Sequence, residues 1–323
     1  MKNPSRLPRY RNKPIRTPPA LAAALGISAE ELVAVGAIAS QLYRNARPTK
    51  KADGSIRQPV DALRRLKRIH RKIKDRLLRE VEYPVFLTGS IRGRSVRHNA
   101  VLHQGATIVV SEDITGFFPS TTAECIFRVW TGCLGFSEEV AQLLTALTTK
   151  DGFLPEGAAT SSYLANLVFW DCEERLHDQL QACGVTYSRY VDDIAMSSRV
   201  AISPTRLTEC IAQVYGMFRS RGYSAKRGKH EIARGHGPMM VTKLLVNKRP
   251  AIPRRERDAI RAAVFQLERQ ALHASGLPDD FNTQLNSIAG RVTRLAQFHA
   301  PEGEALKKRV RELRNIFTTA CSE

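Results

Sequence analysis

The sequence predicts a mixed α+β fold, and three observations carry that reading. Short β-branched or aromatic runs at Thr107–Val110, Val185–Tyr190 and Ile194–Ser197 have the length and composition of strands. Apolar residues recur at three- and four-residue steps from Asp61 to Glu82, through Leu63, Leu66, Ile69, Ile73 and Leu77, as on a helix with one buried stripe. With 323 residues and 43% hydrophobic content, the chain can bury a substantial core, divided into two or three subdomains.

In chain order, Met1–Pro19 carries five prolines and predicts an extended start. Leu21–Tyr43 predicts one or two short helices, with Ser28 before Glu30 and Glu31 as an N-terminal signal. Lys50–Arg57 predicts a hairpin turning at Asp53-Gly54. The helix over Asp61–Glu82 follows, then a basic loop, Gly89–Arg97. The strand at Thr107–Val110 delivers Asp113 and the aromatic pair Phe117-Phe118, with a helix from about Ser120. Gly152–Thr160 is a loop, after which Leu164, Leu167, Val168, Leu176 and Leu180 share one helical face. Val185–Tyr190 and Ile194–Ser197 flank Asp192-Asp193 as a hairpin. A helix from Pro204 to about Ser220 and two short strands follow, the second Val241–Val246. A basic helical region then runs from Pro253 to the end, broken at Gly276–Asp280.

Fifty Lys and Arg against 31 Asp and Glu leave a formal charge of +19, which calls for a polyanionic partner. Nucleic acid suits it best and an anionic membrane surface second. The charge is concentrated: Arg44–Arg79 holds 14 basic residues against three acids, and the first 16 residues hold six basic residues and no acid. Six cysteines form no C-x-x-C pair and no zinc-like alternation with histidine, so they read as reduced thiols. No signal-peptide core and no long apolar span are present, which predicts a soluble, cytoplasmic protein without a membrane partner.

Asp113 at a strand end and Asp192-Asp193 in a hairpin turn form a set of hard oxygen ligands. Two magnesium ions about 4 Å apart, held by such carboxylates, can activate an attacking hydroxyl and stabilise a leaving pyrophosphate. Alone, Asp192-Asp193 would read as a solvated turn. The surroundings change that. Tyr190-Val191-Asp192-Asp193 resembles the Y-x-D-D signature of reverse transcriptases, and Asp113-Ile114-Thr115-Gly116-Phe117-Phe118-Pro119-Ser120 resembles their D-I-x-x-F-F-x-S. Leu154–Ser162 with Leu164-Ala165-Asn166-Leu167 resembles L-P-Q-G-x-x-x-S-P followed by L-A-N. Asn99-Ala100-Val101-Leu102-His103 matches the N-A-x-x-H of retron reverse transcriptases, and Val241-Thr242 falls at their V-T-G. The likeness covers roughly residues 30 to 320.

The resemblance implies a right-hand polymerase: a basic extension (1–20), N-terminal helices and fingers (21–104), a palm with an antiparallel sheet backed by helices (105–248) and a helical thumb (249–323). It implies an RNA-directed DNA polymerase using two magnesium ions, with manganese able to substitute, held at Asp113, Ile114, Asp192 and Asp193. Phe118 would be the steric gate against a ribose 2′-hydroxyl. Lys51 and Arg57 would neutralise the incoming deoxynucleoside triphosphate, with Glu156, Gly157 and Tyr190 lining its pocket. Lys229 would protonate the departing pyrophosphate. Asn99, His103, Val241, Thr242, Lys243, Arg254, Arg255 and Arg257 would contact a structured noncoding RNA transcribed beside the gene. That RNA would prime from a 2′-hydroxyl and be copied in part into multicopy single-stranded DNA, in antiphage defence with an effector protein encoded nearby. About 75 residues follow Val246, too few for an RNase H or endonuclease domain of ordinary size.

Departures are Lys243 for the glycine of V-T-G, Glu156 for glutamine, Ser162 for proline and His70 for glutamine. With all three aspartates retained, they suggest a divergent lineage and not an inactive enzyme. Two other readings compete: another defence-associated or abortive-infection reverse transcriptase, which shares the catalytic core but not N-A-x-x-H and V-T, and a polymerase-shaped RNA-binding scaffold without synthesis.

Overall fold

The computed structural model describes residues 7–50, 54, 56–235, 237–272 and 280–320. The tip of the first hairpin, with Lys51, and most of the expected break at 276–280 lie outside these residues.

Strand β1 (Arg9–Tyr10) leads to helices α1 (Pro18–Leu25) and α2 (Ala29–Ala37). Ser28 caps α2 by accepting from the Glu31 amide at 3.2 Å, as its sequence position predicts. Strand β2 (Tyr43–Asn45), the hairpin β3 (Thr49–Lys50) and β4 (Ile56–Arg57), and β5 (Val60–Ala62) precede α3 (Arg64–Arg76). Helix α3 buries Leu66, Ile69, His70 and Ile73 and turns its arginines outward. It is shorter than the apolar spacing predicts. The chain leaves it at Leu77 so that β6 (Val81–Glu82) can pair with β1, which also anchors the extended start.

The loop after β6 is less free than its arginines suggest, because Arg94 donates to the carbonyls of Tyr83, Pro84 and Leu87. It runs into α4 (Val96–Leu102) and then β7 (Ile108–Asp113). The single helix expected near Ser120 is two, α5 (Phe117–Ser120) and α6 (Ala123–Arg128). Thr121 separates them, its hydroxyl donating to the Phe117 carbonyl at 2.8 Å and meeting the Tyr223 hydroxyl at 2.9 Å. Helix α7 (Glu138–Thr148) follows. The helical face predicted through Leu164–Leu180 is also broken, into α8 (Ser161–Ala165) and α9 (Glu173–Ala182). At the break, carbonyls of Ala165 and Asn166 accept from the Arg189 guanidinium at 3.3 and 2.9 Å, which diverts the backbone.

Strands β8 (Thr186–Tyr190) and β9 (Asp193–Ser198), helix α10 (Pro204–Arg219) and β10 (Glu231–Arg234) complete the central region. The expected strand at 241–246 is a tight hairpin of β11 (Met240–Val241) and β12 (Leu244–Leu245). Thr242 and Lys243 form its two-residue turn with φ of 47° and 63°, the left-handed pair that such hairpins require. Helices α11 (Arg254–Ala271), α12 (Phe281–Ala296) and α13 (Ala300–Ala320) close the chain as a three-helix bundle.

The central sheet has the antiparallel order β10-β7-β9-β8. Both its faces are covered, and its pleat sorts the side chains. Ile108, Val110, Ile194 and Met196 enter a core shared with α1–α3 and α7–α10, whereas Val109 and Ala195 enter a second core with the C-terminal helices. Among the described residues, Cys125, Cys133, Cys172, Cys183 and Cys210 are free thiols. No single helix there is long and apolar enough to cross a membrane.

Two fully buried histidines tie elements together. His70 Nε2 donates to the Leu147 carbonyl at 2.7 Å, joining α3 to α7. His103 lies between Ser197 and Ser188, its Nδ1 and Nε2 each 2.7 Å from a hydroxyl. Burial pushes both imidazoles down to about 4. The unfolded chain therefore takes up protons near pH 6.5 that the folded chain refuses until about pH 4. Stability from these groups is complete above pH 6.5 and is lost as pH falls through that window, by about 3 kcal/mol per histidine. Thermal melts from pH 7 to about pH 4 should show this loss, and His103→Gln should flatten it. An unchanged slope in that variant would remove His103 as a source.

Candidate active site

The β7–β9 ladder sets Asp113 directly opposite Asp193, and the β8–β9 ladder sets Tyr190 opposite Asp193. Val191 and Asp192 thus form a two-residue turn at the end of the sheet. Val191 has φ of 63°, a region a β-branched residue enters only under constraint. The constraint is visible. Gly89 lies so close that a Cβ there would stand 2.6 Å from the Val191 nitrogen. Its carbonyl accepts from Asn166 Nδ2 at 2.7 Å.

Beneath the turn is a buried ion pair. Arg189 donates to the two Glu173 oxygens at 2.6 Å each, and its Nη1 donates to the Val191 carbonyl at 3.0 Å. Tyr187 donates to Glu173 at 2.7 Å, and the guanidinium carbon lies 5.2 Å from the Phe169 ring centroid. Arg189 and Glu173 are 0% and 3% exposed, so every polar atom there needs a partner inside the protein.

Three carboxylates gather at the end of the sheet. Asp193 stands at a solvent-open edge, yet its carboxyl is pushed up to about 7, first by desolvation, then by the charge of Asp192 and by its hydrogen bond to Asp113. Lys229 Nζ donates to Asp113 Oδ1 at 2.7 Å. Desolvation opposes the ammonium, but that hydrogen bond and the three aspartates outweigh it and raise its pKa. Such an excess of hard anionic oxygens suits a small divalent cation. Among the described residues, no three acidic, histidine or cysteine side chains close round one point as a ready-made cage.

The profile of the family described as reverse transcriptase (RNA-dependent DNA polymerase) matches residues 49–260. The chain belongs to the reverse transcriptases. It is 28% identical over 314 residues to the retron Se72 reverse transcriptase of Salmonella heidelberg, covering 96% of this chain and 83% of that one. It is 28% identical over 317 residues to the retron Ec48 reverse transcriptase of Escherichia coli, covering 94% and 77%. With the retron Ec86 reverse transcriptase of Escherichia coli it shares 27% over 243 residues, 75% of each chain. These likenesses place it with the retron reverse transcriptases, as an RNA-directed DNA polymerase.

The other expected site residues of this reverse transcriptase lie on several segments. Phe118 is half-buried, its ring 5.9 Å from that of Phe117. Ile114 is buried beside Asp113, its amide donating to the Asp192 carbonyl at 3.3 Å. The Glu156 carbonyl accepts from the Val60 amide at 2.9 Å, and a Cβ on Gly157, where φ is 113°, would meet the Val60 carbonyl at 2.5 Å. The loop is thereby docked on β5, next to the hairpin whose β4 contains Arg57.

Five of the residues expected at RNA make structural contacts within the protein. Asn99 and His103 are each 1% exposed. Ser197 donates to His103 Nδ1, Nε2 donates to Ser188, and Ser188 donates to Asn99 Oδ1, a chain that fits a neutral imidazole. They clamp α4 to β8 and β9. Val241 is buried, and Arg257 pairs with Glu302 at 2.9 Å. Thr242 donates to the Val96 carbonyl at 3.3 Å, setting the β11–β12 hairpin on the start of α4. Lys243, Arg254 and Arg255 are exposed.

Sequence reading missed Arg189 and Glu173. An arginine inside an otherwise buried strand, three residues before the Asp pair, was the available signal. Removing its partner by Glu173→Ala should cost roughly 3–5 kcal/mol in urea unfolding, because a buried guanidinium is left uncompensated. A loss under about 1 kcal/mol would contradict that account. Lys243→Gly should raise stability by about 1 kcal/mol, since only the side chain resists φ near 60°; a lowered melting temperature would oppose it.

Proposed function

We propose that this reverse transcriptase binds a structured noncoding RNA transcribed beside its own gene and primes from a 2′-hydroxyl of that RNA. It copies part of the RNA into multicopy single-stranded DNA, in the cytoplasm, and serves antiphage defence with an effector protein. Support for the polymerase chemistry comes above all from one observation: Asp113, Asp192 and Asp193 meet at the end of the sheet, with Lys229 on Asp113.

In this reading the protein is a right hand, with fingers over 21–104, a palm over 105–248 and a thumb over 249–323. Asp113, Asp192, Asp193 and the main chain of Ile114 would hold two magnesium ions, which supply activation of the 3′-hydroxyl and charge neutralisation on the triphosphate. Phe118 presents a ring edge against a ribose 2′-hydroxyl, while Tyr190 and the Glu156-Gly157 loop border the nucleotide. Lys51 and Arg57 neutralise its phosphates. Lys229 gives a proton to the leaving pyrophosphate.

RNA would be held by phosphate contacts and shape. Arg44, Arg64, Arg65, Lys67, Arg68 and Arg71 line a groove of about 930 Å³ along α3, and their net positive charge suits a phosphate backbone. Lys243, Arg254 and Arg255 add exposed cations near the hairpin and the first thumb helix. Asn99 and His103 act indirectly, by fixing the helix on which that hairpin rests.

Replacing Asp192 and Asp193 together by Asn should lower DNA synthesis by about 10³-fold or more while RNA affinity in a filter-binding assay stays nearly intact. Undiminished synthesis would refute this site. Sequencing the nucleic acid that copurifies with the wild-type protein should return an RNA joined to DNA through a 2′ linkage, and RNA without attached DNA would count against the retron activity.

A further inference from the structure

The chain facing the end of β7 is longer than the strand it faces. Ile114 bridges to Ala225 and Ser111 pairs with Glu231, so three steps along β7 oppose six along its neighbour. The three extra residues form a single 3₁₀ turn, Arg227–Lys229, in which the Lys229 amide donates to the Lys226 carbonyl at 2.8 Å. Its first end is fixed by the Lys226 amide, which donates to the Asp113 carbonyl at 2.7 Å.

Side chains hold the rest of the turn. His230 Nδ1 lies 2.6 Å from Glu112 Oε1, and the Tyr215 hydroxyl donates to Glu112 Oε2 at 2.9 Å. The Arg227 guanidinium lies over the Tyr215 ring, 4.9 Å from its centroid. The Glu112 side chain is 0% exposed, so its two oxygens depend on these donors. Glu112 and Asp113 are consecutive in a strand and leave it on opposite faces. They reach His230 and Lys229, the residue that follows the turn and the last residue within it, and so grip its end from both sides.

We propose that Glu112, His230 and Tyr215 form a latch that positions Lys229 for proton donation, an inference that rests on the general-acid reading of Lys229 above. As the bond from the 3′-oxygen to the α-phosphorus forms and the bond to pyrophosphate breaks, the hydroxyl proton leaves to solvent. The Lys229 ammonium gives its proton to the leaving oxygen, and the amine regains one from water. Glu112, His230 and Tyr215 touch no reacting atom and are positioning residues. A lysine on an untethered turn would still neutralise charge but would spend less time within reach of the leaving oxygen.

The test is single-turnover incorporation of dTTP on a poly(rA) template with an oligo(dT) primer and magnesium, using the full chain. His230→Ala should lower the maximal rate by about 10- to 100-fold and leave the KM for dTTP nearly unchanged. His230→Asn, whose amide can replace Nδ1 as a donor to Glu112, should restore most of it. In a Lys229→Ala background, His230→Ala should cost little more, because both changes remove the same step. Tyr215→Phe, which keeps the ring, gives a second reading if His230→Ala does not fold. Full activity of His230→Ala or Tyr215→Phe, no rescue by Asn, or losses that multiply in the double variant would overturn the latch. Lys229→Ala at full rate would instead overturn the general-acid reading itself.

Discussion

The buried pair of Arg189 and Glu173 is the constraint on which the rest of the structure depends. A guanidinium with no access to water must have its charge and its donors satisfied within the protein, and here two carboxylate oxygens and three carbonyls do so. Those carbonyls belong to Ala165, Asn166 and Val191, two segments brought side by side only by the fold. The same side chain therefore breaks the helix after Ala165 and holds the turn that carries Asp192. Backbone bonds add to this, because the Arg189 amide and carbonyl pair with Phe86 and Thr88 at 2.9 Å each. An unfavourable φ at Val191 persists because the turn is fixed from below by Arg189 and from the side by Gly89.

This anchoring separates two electrostatic tasks. The charge of Arg189 is neutralised by Glu173, so it stabilises the turn without drawing the aspartates toward itself. The three carboxylates at the end of the sheet remain crowded, the Asp193 carboxyl pushed up by desolvation and by its acidic neighbours, with Lys229 as their nearby cation. Against a chain of formal charge +19, they form a small anionic focus in a basic protein. Polyanion attraction can then be spread over the outer surface, on α3 and at the start of α11, while cation attraction is confined to one sheet end.

Much of this was legible in the sequence where the signal is local. Ser28 caps the helix it precedes, the strand after Thr107 delivers Asp113, and Asp192-Asp193 lies in a hairpin, because capping, pleating and tight turns depend on a few adjacent residues. What failed depends on distant partners. The apolar period through Leu77 cannot show that Val81 and Glu82 are taken by β1, nor that Arg189 interrupts the face from Leu164 to Leu180. Asn99 and His103 matched a motif linked with RNA, and their burial against Ser188 and Ser197 moves their contribution to the interior. A motif preserves a requirement, and that requirement can be met by holding a helix in place.

Two of the departures illustrate the same distinction. At 156, docking of the loop on β5 uses the main chain: the Val60 amide donates to the carbonyl of residue 156, and Gly157 lets the Val60 carbonyl approach. A change from glutamine to glutamate leaves that docking untouched and alters only what the side chain presents. At 243 the reverse holds. Lysine occupies a left-handed position where glycine would be unstrained, so the substitution carries a backbone cost of about 1 kcal/mol. The cost is borne at an exposed turn, where a cation is gained at the tip of a hairpin held in shape by α4 beneath it.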